Sequence, residues 1–329
     1  MHNLFDWQYY LDKYPDLQRN GIHTEELALG HWLTYGKKEG RVSIRPPLLF
    51  DWQYYLEKYP DLRRNGINTE QQAIEHWFTY GKKEKRMPFN INIKSNNTIG
   101  ILIPSTSNGR EWHNSEETYL YNTIKSFINS TLLDQTIQNR NTYKFYIGLD
   151  RNDKILDIEG FRLDINKLML PFENVLIEYI YMDGITKGHL TAMWNRLYIK
   201  ALADECDYFF QCGDDIEFKT NGWISDCIYT LQINNNIGLT GPMNNNPNIL
   251  TQSFVSRKHY DLFGYYFPEE IINWFCDDWI NEVYKSLKAY FPLKQHLCDN
   301  NGGTPRYIIN DTLRDKCTEL VNRDVLRQK

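Results

Sequence analysis

Several large protein classes are argued against by what the sequence has little of. No apolar run approaches the roughly 18 residues of a membrane-spanning helix, and mean hydropathy is −0.60, which speaks against an integral membrane protein. The first residues, Met1-His2-Asn3-Leu4-Phe5-Asp6-Trp7, lack the basic stretch and apolar core of a secretory signal peptide. Six cysteines in 329 residues, at 206, 212, 227, 276, 298 and 317, form no C-x-x-C and no metal-like cluster. They read as reduced, buried thiols, so the expected location is the cytoplasm, that of a virus-infected host cell included. Cationic residues are not in excess: 37 Lys and Arg stand against 42 Asp and Glu, a net charge of −5. That argues against nucleic acid as a partner, which would call for a broad basic face. Alanine is scarce, 6 residues against 32 Asn, a skew that an AT-rich genome produces and that says nothing about chemistry. The sequons at Asn96, Asn129 and Asn310 read as accidents of that asparagine excess.

What is abundant is apolar and aromatic: 41% hydrophobic and 15% aromatic residues, enough for a packed core. At roughly 100–200 residues per domain the length predicts about two domains.

The first organising feature is a repeat. Phe5-Asp6-Trp7-Gln8-Tyr9-Tyr10-Leu11 returns as Phe50-Asp51-Trp52-Gln53-Tyr54-Tyr55-Leu56, and from 5–41 to 50–86 the copies agree at 28 of 37 positions. Each copy reads as a helical hairpin, giving expected units at 1–45 and 46–90. Trp7, Tyr10, Leu11 and Tyr14 fall on one helical face, and Pro15 and Pro60 follow where that helix weakens. The second helix opens at Thr24 or Thr69, with Thr69-x-x-Gln72 as a capping box. Ala28, Trp32 and Tyr35, and in the other copy Ala73, Trp77 and Tyr80, form its apolar face. Gly36 and Gly81 are placed as glycine stops, and His31 and His76 as packed residues. Gly30-x5-Gly36-Lys37 has the wrong spacing for a phosphate loop, follows no strand, and loses Gly30 to Glu75 in the second copy. The basic ends 37–41 and 82–86 read as solvated helix ends, with a protein or glycan partner for the repeats as the alternative.

After Pro88 a polar stretch, 90–98, reads as a linker, leaving 91–329 for one larger domain. Short apolar runs at Ile99–Pro104, Tyr143–Leu149, Val175–Tyr181 and Asp207–Gln211 predict strands, with helices over 118–127 and 190–203 between them. That alternation predicts a largely parallel α/β sheet, in which ligands bind beyond the carboxyl ends of the strands. Polar and acidic residues collect there: Ser105 and Thr106, Asp150, Asp183, and Asp214 with Asp215. Adjacent carboxylates delivered by a buried strand suit Mg²⁺ or Mn²⁺ bridging a diphosphate, because such hard ions take one or two carboxylates plus phosphate oxygens.

Two resemblances follow from these residues. The repeated Phe-Asp-x-x-Tyr-Tyr-Leu…Tyr-Pro-Asp…His-Trp-x-x-Tyr-Gly unit resembles short helical repeats attached to glycosyltransferases of bacteria and large DNA viruses. The segment from about 99 to 310 resembles a GT-A glycosyltransferase of the GT2-like kind, a Rossmann-like fold with a D-x-D metal motif. It does so through Ile103-Pro104-Ser105-Thr106, Gly148-Leu149-Asp150-x-x-Asp153, Lys187-Gly188-x-Leu190-Thr191-x-Met193-Trp194-Asn195, Gly213-Asp214-Asp215 and Asn273-Trp274-x-Cys276-Asp277-Asp278-Trp279. The sequence departs from that motif at Gly213, where an acid would stand.

The resemblance implies an enzyme that moves a sugar from a UDP-linked donor to a hydroxyl of a glycan or glycoprotein acceptor, with inversion. It implies that Pro104, Ser105, Thr106, Asp150 and Asp214 meet the nucleotide, with Lys187 and Asn195 near the donor. Asp215 is the expected ligand for Mn²⁺ or Mg²⁺, with Glu217 as its fallback, and His296 as a second ligand, with His259 its competitor. An acid at the start of the helix after Asn273 would be the general base; neighbours on a helix diverge by about 100°, so only one of Asp277 and Asp278 should face the acceptor and the other cap the helix, and Asp278 is preferred. Trp223, Trp274, Trp279 and the Asn244–Asn246 loop are candidates for an acceptor site. The alternatives are a sugar-phosphate nucleotidyltransferase, which would call for a Gly-rich basic loop after the first strand, and a non-catalytic carbohydrate-binding scaffold.

Overall fold

Each repeat builds its own small core from aromatic side chains, as a segment of some forty residues must. The computed structural model describes residues 5–44, 50–81, 83–84, 86, 96–133, 141–302 and 312–328; most of the linker expected at 90–98, and the sequon at Asn310, lie outside them. The chain divides into two units, Met1–Ile93 and Lys94–Lys329.

Among the described residues of the first unit each copy has three α-helices where two were expected: α1 (Trp7–Lys13), α2 (Pro15–Arg19) and α3 (Glu25–His31), then α4 (Trp52–Lys58), α5 (Pro60–Arg64) and α6 (Glu70–His76). Pro15 and Pro60 do end the first helix, but each then occupies the first turn of a short second one, where a missing N–H costs nothing. Asp6 and Asp51 cap α1 and α4 through the amides of Tyr9 and Tyr54, and the Thr69–Gln72 capping box is formed.

Gly36 and Gly81 stand where the helical run ends, but not as left-handed stops, since neither has a positive φ. Each closes a π-helical turn, Trp32–Gly36 and Trp77–Gly81, and a Cβ there would collide with the hydroxyl of Tyr10 or Tyr55. Those hydroxyls in turn meet His31 Nδ1 at 3.1 Å and His76 Nδ1 at 3.0 Å. The two copies also share an ion pair, Arg41–Asp16 at 2.9 Å and Arg86–Asp61 at 2.8 Å, with each guanidinium 4.9 Å over the ring of Tyr14 or Tyr59. Val42 and Ile44, which follow the first copy, pack on Ile74 of the second. Gly36→Ala forces the Tyr10 ring out of a filled core at about 1–3 kcal/mol. Hydrogen exchange on the full chain is expected to quicken in residues 7–36 and not in 98–149; unchanged protection in 7–36 contradicts the packing role.

The second unit is a mixed α/β structure. Its strands are β1 (Thr98–Ser105), β2 (Thr142–Leu149), β3 (Val175–Tyr181), β4 (Tyr208–Gln211), β5 (Ile216–Phe218), β6 (Leu239–Met243), β7 (Ser253–Ser256) and β8 (Tyr290–Asn300). They form one sheet in the order β3-β2-β1-β4-β7-β6-β8-β5. β3, β2, β1 and β4 are parallel; β7 runs antiparallel to β4 and β6, β6 pairs β8 in parallel, and β5 closes the edge antiparallel to β8. The helices are α7 (Tyr119–Phe127), α8 (Glu159–Met169), α9 (Leu190–Ala203), α10 (Trp223–Gln232), α11 (Lys258–Phe263), α12 (Cys276–Ser286) and α13 (Thr312–Leu326).

The strands alternate sides by the two-residue period. Ile99, Ile101 and Ile103 with Tyr208 and Phe210 face a core that holds residues of α7, α8 and α10. Leu102 and Phe209 face another, built with α9, α11, α12 and α13. All six cysteines are free and buried. Among the described residues no helix is long and apolar enough to cross a membrane.

Two consequences of this order matter for the site. The chain runs from β1 to β2 on one side and reaches β4 on the other, so a crevice opens beyond the carboxyl ends of β1 and β4, the switch point at which open α/β sheets bind ligands. The helix α12 begins at the same end, after Phe275 at φ 74°, a left-handed conformation that costs a bulky residue free energy.

Candidate active site at the end of the parallel strands

β4 ends at Gln211, and the loop after it is shaped by what its glycine leaves open. The Gly213 amide donates to Gln252 Oε1 at 2.9 Å. A Cβ on Gly213 would sit 2.6 Å from Asp215 Oδ1, and one on Gly302 would overlap Asp215 Oδ2. The Asp215 carboxylate is therefore seated between two glycines, and an acid at 213 would push it out of place. Asp214 is buried, and its Oδ2 accepts from the Ser105 hydroxyl at 2.6 Å. This contact ties the end of β1 to the loop after β4. Two residues expected to meet a nucleotide thus also hold each other.

The loop after β1 is organised by acids of the β2 end. Thr106 donates to Asp150 at 3.0 Å, while Asp153 accepts from the Ser107 hydroxyl and amide at 2.5 and 2.7 Å and from the amides of Ile155 and Leu156. Burial raises the Asp153 pKa, but these hydrogen bonds outweigh it and hold the carboxyl below its ordinary 3.8. Asp183, at the end of β3, is exposed and paired with Arg151 at 2.6 Å.

Two cavities meet at Pro104 and Leu190. One, of about 350 Å³, is lined by Ser105, Thr106, Asp150, Lys187 and Gly188. The other, of about 310 Å³, is lined by Arg110, Asp214, Asp215, Trp274, Asp277 and Asn300 among others. Across it, the loop after β4 and the first turn of α12 both contribute carboxylates. Burial, with the Asp278 carboxylate beside it, pushes the Asp277 carboxyl up from 3.8 to about 6.

Several expected residues lie elsewhere. Asp278 does not line the cavity; burial raises its pKa, with Arg314 and Lys285 acting against that, and Asp277 takes the position facing the cleft. Asn195 is buried and spends its amide on the 266–269 segment: its Nδ2 donates to Phe267 O at 2.8 Å and its Oδ1 accepts the amides of Tyr266 and Phe267. It braces that segment and lines neither cavity. His296 sits on β8 beyond the far end of β5, bound to Asp226 at 2.8 Å and Thr220 at 3.2 Å, and is not brought to Asp215. His259 is a core residue held by Tyr284 and the Tyr266 carbonyl, its pKa lowered to about 4 by burial. Glu217 turns to Lys219 and Asn301. Trp223 and Trp279 are core residues, so only Trp274 of the three indoles reaches the cleft. Arg110 is the residue that sequence reading missed; as one arginine in a polar loop it carried no signal separating it from solvent-exposed neighbours.

Among the described residues no group of three or more His, Cys, Asp or Glu could hold a metal ion. The donors present, Asp215 with the buried Asp214, fit a hard divalent ion that takes one or two carboxylates and completes its shell from substrate phosphate and water. They do not fit an all-protein cage.

No known protein family matches the chain, and no curated protein matches it. Among solved structures it is similar to S. aureus TarS, at 13% identity over 70% of this chain and 40% of that one, with a TM-score of 0.45. It is also similar to TarS 1-349 in complex with UDP-GlcNAc, at 12% identity over 70% and 66% of the two chains, TM-score 0.47. A third match is the same TarS segment in complex with UDP, at 12% identity over 70% and 65%, TM-score 0.44. The chain spans less than two thirds of the length of each of these neighbours.

Proposed function

We propose that the second unit is a glycosyltransferase that moves a sugar from a nucleoside diphosphate donor, UDP-linked, to a hydroxyl of a glycan or glycoprotein, with inversion. The observation that carries the reading is a carboxylate pair at the end of β4 sharing one cavity with a carboxyl of raised pKa at the start of α12. The fold puts all three at its switch point. In this reading the adjoining cavity, with Thr106, Asp150 and Lys187 in its lining, would take the nucleoside.

In this reading Asp277 accepts the proton of the acceptor hydroxyl as its oxygen bonds to the anomeric carbon, and the bond from that carbon to the diphosphate breaks on the opposite face. Trp274 offers an indole to one sugar ring. Asp215, steadied by Gly213 and Gly302, is the metal-holding residue, and Asp214 shares the role. Mn²⁺ or Mg²⁺ bound there would neutralise charge on the diphosphate as it leaves.

The test is release of UDP from a panel of UDP-sugars with Mn²⁺, in wild type and Asp215→Ala. Wild type is expected to turn over, and the variant to lose at least about tenfold in activity. Equal activity in the two removes the role of Asp215. No turnover with any donor or acceptor, combined with retained glycan binding, favours a carbohydrate-binding scaffold. A product of retained anomeric configuration removes the base role of Asp277.

A further inference from the structure

Arg110 lines the same cavity as Asp215 and Asp277, yet it pairs with no carboxylate among the described residues. Its Nη2 donates to the Gly302 carbonyl at 3.2 Å. Its guanidinium lies 4.8 Å over the Tyr119 ring and 5.9 Å from that of Trp112, and those rings meet edge to face at 5.1 Å. Its Nε is buried and has no partner among the described residues. Arg151, Arg162 and Arg323 of this unit are matched to Asp183, to Asp157, and to Asp324 and Glu270, whereas Arg196 and Arg257 bond backbone carbonyls but line neither cavity.

Arg110 is partly buried, and burying one of its N–H groups with no acceptor costs free energy. Aromatic faces orient it and offset part of that cost, and one carbonyl satisfies one of its five N–H groups. The same cavity is lined by the carboxylates of Asp214, Asp215 and Asp277, with none of which Arg110 forms an ion pair among the described residues. Gly109, at φ 77°, and the Arg110 amide bonded to Ser107 O at 3.0 Å set the turn that delivers it. An anion brought by a ligand would supply the acceptors this fork lacks, and a planar fork matches phosphate oxygens better than an ammonium does.

We propose that Arg110 binds the diphosphate of the donor, as a fixed cation that acts whether or not a metal ion is present; this rests on the nucleotide-sugar reading above. Among the described residues, Lys187 is the one cation lining the 350 Å³ cavity and Arg110 the one lining the 310 Å³ cavity. A diphosphate passing Pro104 from one to the other meets both. Arg110 shares its cavity with Asp277, so it takes the phosphate nearer the transferred sugar. Held by Tyr119 and Gly302, it offsets the charge left when the sugar departs.

Calorimetric titration of the full chain with UDP and with uridine, both in EDTA, tests this. Wild type is expected to bind UDP more tightly than uridine without metal. Arg110→Gln is expected to weaken UDP by about 10–100-fold, the worth of charge-assisted hydrogen bonds, and to leave uridine unchanged, which also shows that the variant is folded. Arg110→Lys restores part of the loss. Wild-type UDP affinity in Arg110→Gln overturns the assignment and leaves the donor reading standing. Equal weakening of UDP and uridine makes Arg110 a structural residue and overturns it as well. Binding of neither ligand by wild type, with or without Mn²⁺, removes the donor reading and the assignment with it.

Discussion

Asp277→Asn is expected to lower kcat for sugar transfer by about 10²–10⁴-fold, the usual contribution of a positioned general base, while donor KM stays near the wild-type value. Asparagine keeps the size of the side chain and its place in the first turn of α12 but cannot take a proton. The pH profile makes the assignment specific. The Asp277 pKa is raised to about 6, first by burial and then by the Asp278 carboxylate, and the base works only when ionised. Wild-type kcat/KM should therefore rise about tenfold per pH unit below 6 and level off above it, whereas the residual activity of the variant should be flat there. A variant that keeps the wild-type pH limb excludes Asp277 as the base. Asp278→Asn is expected to have a much smaller effect, because that side chain does not line the cavity.

The same shift has a consequence for stability, opposite in sign to that of most carboxylates. The folded pKa lies above the ordinary 3.8, so between about pH 4 and 6 the folded chain binds more protons at this site than the unfolded chain does. Stability from this site is then lost as pH rises through that window. Asp277→Asn lacks the titration, so its urea midpoint relative to wild type should climb from pH 4 to 7. A charge kept in a cleft at a cost in stability is the arrangement expected of a working group rather than a structural one.

Much of the parallel half of the sheet was legible because its signal is local. β3 and α9 fall where the apolar run 175–181 and the helical pattern 190–203 predicted them, and β1, β2 and β4 differ by a residue or so at their ends. The antiparallel half was not. β5, β6 and β7 have three to five residues each, too few to establish a period, and they are strands only because β4 and β8 offer edges to pair with. In the repeats the glycines were noticed but given the wrong reason: a glycine stop and a glycine that admits a tyrosine hydroxyl look alike in sequence.

The candidate site divides the same way. Asp214, Asp215 and the Ser105–Thr106 loop follow from strand ends, which a sequence displays. The choice between Asp277 and Asp278 depends on which way a helix is rotated about its axis, and that is fixed by Trp279 and Ile280 in the core and by α13. The placing of His296 failed because distance along the chain was read as distance in space: it lies on the same strand as Asn300 but at the far end of the β5–β8 pairing. Arg110 could be recognised only from its surroundings.

The rotation of α12 gives Asp324 its importance, and Asp324→Ala is expected to destabilise the second unit by about 3–5 kcal/mol. Asp324 is 1% exposed. It accepts from the Trp279 indole N–H at 3.2 Å, the Tyr265 hydroxyl at 2.8 Å and Arg323 at 2.9 Å. Alanine would strand an indole N–H inside the core and a tyrosine hydroxyl beside it, each costing about 1–3 kcal/mol when left without a partner. Arg323 keeps its bond to Glu270 at 2.7 Å and is partly exposed, which moderates its loss and puts the expected total near the lower end of the range. The damage should be local first. Cys317 and Leu320 of α13 pack into the same core as α12, so hydrogen exchange should quicken in 312–328 and 276–286 before it does in 98–105. Because α12 also carries Asp277, transfer activity should fall at temperatures where β1 remains protected. Asp324→Asn retains an acceptor for the indole and should lose less than the alanine variant. A shift of the urea midpoint worth no more than about 0.5 kcal/mol, the size of an ordinary surface substitution, would show that α12 is held in place without this carboxylate.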